Sequence, residues 1–453
     1  MSMNLQAVSI GLPQDIASYL ACGQWQEAQE MISARMQLEL PQMLRERLAL
    51  TQVFMQQLGN AYPLSEEQLI SSVRKQIPDF SDDDFRQLRN LGWLDSLRIQ
   101  GRRMYFEDSV ASLIKANPDF AARAGRPLSP SRPILDDAMT QMRKEGVINL
   151  SLQLTTSLQF KEDTFVSGQT RYVHLPLATP APQQHEVQII DVRPRPKHIA
   201  RESAPQRTVY FEEIMTENLP FVAVSAFRQI LRYVDPLSEC FMGVCYPSAR
   251  PPAREDLEEQ LPHLAFTPYL KALARELVGD EIIPVRQAKR FYDYITGQVL
   301  YSYVRPYLLI ENGAEYAALN LRGDCGLQAL LFIALCRITG IPARWQSGLY
   351  AAPGDEGSHD WAWFYTQPCG WLPADCSFGG AARRGGNSQR REFYFGNLDP
   401  YRAVFNQAYM GAFQPEGKFL RYDPYDNQSG EAESTECKLP RETYRIKHEV
   451  KLL

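Results

Sequence analysis

Apolar residues recur at helical spacing through the first 125 positions and then switch to alternation. Ser65-Glu66-Glu67-Gln68 has the form of a capping box and precedes apolar Leu69, Ile70, Val73 and Ile77, so a helix is predicted to start there. Ser81 opens a second, with Phe85, Leu88 and Leu91 on one side. Ser96 to Glu107 reads as a hairpin turning at Gln100-Gly101. Proline-rich text from Arg126 to Pro133 marks a linker. From about residue 146 the period becomes two. Ile148, Leu150, Leu152 and Leu154 alternate with Val147, Asn149, Ser151 and Gln153, and four further extended runs follow up to Val224. Such runs, punctuated by proline and glycine, predict a β-sandwich. Helical spacing resumes near Phe266.

The fold class expected is multidomain α+β. A helical domain spans 1–125, a β-sandwich 145–255 and an α+β core 256–416, in which a helix packs on an antiparallel sheet. A tail, 417–453, contributes a closing strand at Glu442 to Leu452. A length of 453 residues suits about three domains. With 44% apolar and 22% charged residues, each can bury a core. The formal charge of −5 gives no overall field for nucleic acid, and no apolar run reaches the ~18 residues of a membrane span. The first residues lack the pattern of a signal peptide, so a cytoplasmic location is expected. The eight cysteines form no CxxC pair and are read as thiols; neither a metal site nor a cofactor is predicted.

One of those thiols has distinctive surroundings. Asp324 is placed to cap the buried helix LQALLFIALCRITG, which puts Cys325 in its first turn. A helix start favours a thiolate and predicts a lowered thiol pKa. Gly326 is expected to leave room for a substrate backbone. Cys336, about 16 Å further along the same helix, is expected to be an inert core thiol. Downstream, His359-Asp360-Trp361-Ala362-Trp363-Phe364-Tyr365 alternates as a strand, with His359, Trp361 and Trp363 on one face. A turn near Pro368 returns Asp375 toward His359. A nucleophile at a helix start, with a base and its orienter on adjacent strands, is a plan for cysteine acyl transfer.

The order R-G-D-C-G, a buried helix, G-I-P-A-R-W-Q-S-G, H-D-W-A-W-F-Y and G-W-L-P-A-D resembles the transglutaminase-like superfamily over roughly Phe266 to Gly380. The resemblance implies a papain-like fold with Cys325 as nucleophile, His359 as base and Asp375 as orienter. It also implies that Tyr301-Ser302-Tyr303 approaches the cleft. His359 follows Cys325 by 34 residues and Asp375 follows His359 by 16, more compact than papain and the cathepsins. Trp363 stands where many bacterial members have Glu, which leaves the substrate open. The candidate substrate-binding residues are Tyr301, Tyr303, Asp324, Gly326, Trp361 and Trp363. The segment 379–392, with Arg383, Arg384, Arg390 and Arg391, is expected to be a solvated loop or else a lid that recruits an acidic substrate. The expected function is hydrolysis of an amide in a peptide or protein substrate through a thioester. The alternatives are acyl transfer to an amine and a peptide-binding module with little turnover.

Overall fold

The structure is a computed structural model that describes residues 4–126, 132–238, 243–421 and 423–453. Most of the predicted linker lies outside the described residues. Helices fill the first 125 residues except at one hairpin, Ser96–Ile99 with Arg102–Tyr105. The helix Glu66–Gln76 begins at Ser65 and the helix Asp82–Asn90 at Ser81, each with both bonds of a capping box. Leu69, Val73, Phe85 and Leu88 are buried together. Leu91 departs from the predicted apolar side: it follows the last helical turn and is exposed.

Two four-stranded antiparallel sheets form the central sandwich. One orders Tyr444–Leu452, Val147–Phe160, Phe221–Arg232 and Gln184–Arg193; the other orders Glu431–Glu433, Gln169–Pro176, Thr208–Met215 and His198–Ile199. Leu158, Val173, Phe211 and Phe221 meet between them. The last strand pairs with Val147–Phe160 from Tyr444↔Phe160 to Leu452↔Leu152.

The remaining sheet is antiparallel, in the order Gly370–Ala374, Asp355–Thr366, Ala343–Ala352, Arg402–Asn406. The helix Cys325–Ile338 packs on it, with Phe332 edge-on to Phe364 at 5.6 Å. This helix is buried from Cys325 through Arg337, as a sequence that is apolar on all sides demands. It ends where Gly340 takes a left-handed φ of 81°. The sandwich closes over the far side of this sheet, where Leu152, Leu154 and Phe227 meet Leu349, Ala403 and Phe405. The N-terminal helices approach from the other direction. Ser112 Oγ accepts the Tyr303 N–H at 3.0 Å, and the Lys115 ammonium lies 3.9 Å from the Tyr301 ring centre.

Segment 379–392 corrects the loop expectation. It forms the end of the helix Cys376–Arg384 and the helix Ser388–Phe393. Its arginines are mostly tied down: Arg390 pairs with Asp136 and Arg391 with Asp293, both at 2.7 Å.

Candidate active site

The site is assembled from the start of one helix, a strand interior and the residue that follows the neighbouring strand. Asp324 caps the Cys325 helix, accepting the Leu327 N–H at 3.0 Å and the Tyr307 hydroxyl at 2.6 Å. Adjacent strands bring His359 and Asp375 together, with His359 Nε2 2.7 Å from Asp375 Oδ2. That bond leaves Nδ1 free to face a substrate or thiol. Asp375 is fully buried and caps the next helix, its Oδ1 accepting the Phe378 N–H at 2.8 Å. Arg402 Nη1 lies 2.9 Å from Asp375 Oδ2, and Asp399 holds the rest of that guanidinium. Burial pushes the Asp375 carboxyl up, but His359 and Arg402 more than offset it and hold it below the usual carboxylate range. His359 lies below its ordinary value because burial outweighs Asp375. The imidazole is therefore neutral at rest and able to accept a proton.

Cys325 stands where two cavities meet. One, of about 250 Å³, is lined by Cys325, His359, Tyr350 and Phe378. The other, of about 550 Å³, is lined by Cys325, Asp360, Asp324, Asp423 and Asp426. Successive strand residues face opposite ways, so His359 and Asp360 serve different cavities. The thiol bonds to Asp360, with Sγ 3.2 Å from Oδ2, and not to the His359 ring. Gln428 fixes the other Asp360 oxygen at 2.5 Å and also donates to the His359 carbonyl at 3.1 Å.

The electrostatics reverse one expectation. The Cys325 thiol is pushed well above its ordinary pKa by burial first, then by Asp360 and Asp324. The helix start is there as predicted, but burial, reinforced by the Asp360 and Asp324 carboxyls, outweighs it. Those carboxyls are themselves raised, chiefly by burial: Asp324 to about 6, Asp423 to about 8, and Asp360 well above the usual range. Cys336 is fully buried, and burial raises its thiol as well.

Of the candidate substrate residues, Tyr301, Tyr303 and Asp324 line the larger cavity, and Tyr301 also lines the smaller. Three others are corrected. Gly326 opens no space for substrate: a Cβ there would collide with the Tyr307 hydroxyl and come 3.0 Å from Asp360 Oδ2. Trp361 and Trp363 have no exposed surface. Their indole N–H groups both donate to Gln346 Oε1, at 2.8 and 2.9 Å, which locks them into the core. Asp360, Arg402, Asp399, Asp423 and Gln428 were not identified from the sequence. Asp360 carried the only available signal, as a charged residue beside His359 in an otherwise apolar strand. The others lie 24 residues or more beyond Asp375 in sequence and reach the site only through folding.

No helix among the described residues is long and apolar enough to cross a membrane. Among the described residues, no group of three or more His, Cys, Asp or Glu could hold a metal ion.

Residues 271–376 match the model of the transglutaminase-like superfamily. This segment is a transglutaminase-like core. The match runs from within the helix Pro268–Val278 to the residue after Asp375, so it contains Cys325, His359 and Asp375. Among solved structures, the chain is similar to a candidate cysteine protease from Cytophaga hutchinsonii, with 16% identity over 68% of this chain and 93% of that one and a TM-score of 0.44. It is also similar to the periplasmic domain of TgpA from Pseudomonas aeruginosa, with 15% identity over 53% of this chain and 92% of that one and a TM-score of 0.29. Both likenesses are distant. No curated protein matches.

Proposed function

We propose that the protein is a cysteine hydrolase that cleaves an amide in a peptide-like substrate through a thioester on Cys325. The observation that carries this reading is the buried His359–Asp375 bond, at 2.7 Å, on the wall of the cavity that Cys325 also lines. The transglutaminase-like match supports cysteine-dependent acyl chemistry in general.

At rest the thiol is protonated and bonded to Asp360. Rotation about the Cys325 side chain turns Sγ from the Asp360 cavity toward the His359 cavity. Such bonds commonly tighten only when substrate binds. His359 Nδ1 then takes the thiol proton, and Sγ attacks the carbonyl carbon. Asp375 fixes the imidazole through Nε2 and stabilises the imidazolium. The N–H groups at the helix start face the developing oxyanion. The C–N bond breaks as His359 returns the proton to the leaving amine, and water then cleaves the thioester.

Turnover of a peptide panel, with a labelled primary amine present, tests this. The expected result is free acid product, abolished by Cys325→Ala and by His359→Ala. Incorporation of the amine would favour acyl transfer, and full activity in Cys325→Ala would refute the reading.

A further inference from the structure

The cavity on the His359 side has a charge of its own. Lys115, Arg132, Arg384 and Arg390 line it, against the carboxylates Asp355 and Glu356. Most of these charges are already engaged. Arg132 pairs with Asp355 at 3.0 Å and Arg390 with Asp136 at 2.7 Å. Glu356 accepts the backbone N–H groups of Gly354 and Val450 at 3.0 and 3.1 Å. Two cations are left without a carboxylate partner, Lys115 donating only to the Tyr303 hydroxyl at 3.4 Å. Lys115 rests its ammonium on the rings of Tyr301 and Tyr303, 3.9 and 4.8 Å from their centres. Arg384 is the last residue of the helix that Asp375 caps. Its Nε is buried with no hydrogen-bond partner, and besides burial only Tyr301, with no carboxylate, shifts its guanidinium. Burial moves the guanidinium down to about 10, so it keeps its charge at neutral pH. Its neighbour Arg383 turns elsewhere, its guanidinium lying against Gly297.

An arginine held without a counterion on the wall of a reaction cavity is poised for a carboxylate. We infer that Arg384, assisted by Lys115, binds a carboxylate of the substrate on the leaving-group side of the scissile amide. This inference rests on Cys325 and His359 acting as proposed above. His359 must hand its proton to the departing nitrogen, so the released amine occupies the cavity that His359 lines. The amine product is then one that carries a carboxylate: a C-terminal amino acid, or a short peptide with an acidic residue beside the cleaved bond. The bond balance is that of amide hydrolysis. The Sγ–C bond forms, the C–N bond breaks, the thiol proton passes through His359 to the amine, and water releases the acid.

A test that needs no known substrate compares alkylation of Cys325 by iodoacetate and iodoacetamide. The two reagents share a leaving group and differ by carboxylate against carboxamide. Rates are read at Cys325 by peptide mass mapping in the full-length protein and in Arg384→Gln and Arg383→Gln. The iodoacetate-to-iodoacetamide rate ratio should fall about fivefold or more in Arg384→Gln, the scale of one charge-assisted contact, and stay native in Arg383→Gln. A melting curve confirms that Arg384→Gln is folded. A ratio within about twofold of native in Arg384→Gln, given the size expected for such a contact, overturns the inference while leaving the proposed hydrolase intact. If Cys325 reacts with neither reagent, the proposed function fails and the inference with it. With matched peptides ending in free carboxylate or carboxamide, Arg384→Gln should raise KM for the free acid about tenfold and leave kcat nearly unchanged. An equal change for both peptides also overturns it.

Discussion

Replacing Asp360 by Asn should make Cys325 more reactive, not less. The substitution keeps the shape and an acceptor oxygen for the thiol while removing a carboxylate 3.2 Å from Sγ. Two unit charges at that distance repel by about 5 kcal/mol at an effective dielectric near 20. Each ~1.36 kcal/mol shifts a thiol by one pKa unit and its thiolate population tenfold. The full repulsion is felt only when Asp360 is ionised, and its own carboxyl is raised by burial and by Asp426 and Asp324. Proton sharing between the two groups therefore reduces the effect. If about a quarter survives, iodoacetamide labels Cys325 about tenfold faster in the variant at pH 8. The advantage should shrink toward acid pH, where the native Asp360 holds its proton and no longer repels. The assay is the alkylation rate at Cys325 from pH 5.5 to 9, with the buried Cys336 as an internal control. Equal rates throughout would refute the electrostatic reasoning. Slower labelling in the variant would point instead to Asp360 as the group that takes the thiol proton.

Asp375→Asn should preserve the N-cap but lose control of the imidazole, lowering kcat by about a hundredfold or more; kinetics on a cleaved peptide checks this. Gln346→Leu removes the acceptor shared by the Trp361 and Trp363 indoles and by Gln183 Nε2, which donates at 2.6 Å. Orphaning those buried donors should cost about 3 kcal/mol, read by urea unfolding. Asp423 has a folded pKa raised to about 8, so between the unfolded value and 8 the folded state holds a proton that the unfolded state has lost. This stability contribution is full only below the unfolded value of 3.8, falls progressively as pH rises, and is gone once pH passes 8. Asp423→Asn should therefore melt higher than the native protein at pH 9, by a margin that is much smaller at pH 5. Equal melting curves at both pH values would contradict the assignment.

Local signals account for what the sequence made legible. Capping boxes at Ser65 and Ser81, the cap at Asp324 and the Gly340 stop all act within a few residues of where they are written. The alternation from Val147 likewise marked a strand that the structure extends to Phe160. The spacing of His359 and Asp375 also carried through, because a hairpin converts short separation into contact. What escaped is long-range. Asp423, Asp426 and Gln428 belong to a tail that looked like a connection to the last strand, yet they line the cavity beside Cys325. The raised Cys325 pKa has the same origin: the helix start is local and visible, whereas the burial that dominates, and the Asp360 carboxyl 35 residues on, arise only when the chain folds. Strand periodicity put Trp361 and Trp363 on the His359 face correctly, but a face does not say what covers it. Gln346, on the neighbouring strand, and the layer behind it enclose both indoles.

The central claim is that Cys325 forms a thioester and that His359 drives its formation. Intact-protein mass spectrometry of acid-quenched turnover, followed by peptide mapping, tests it most directly. The expected result is a mass increase equal to the acyl part of a cleaved peptide, located on Cys325, released by hydroxylamine and absent in His359→Ala. An adduct on any other residue, or product formed without an adduct in a protein whose Cys325 has been alkylated, would contradict it.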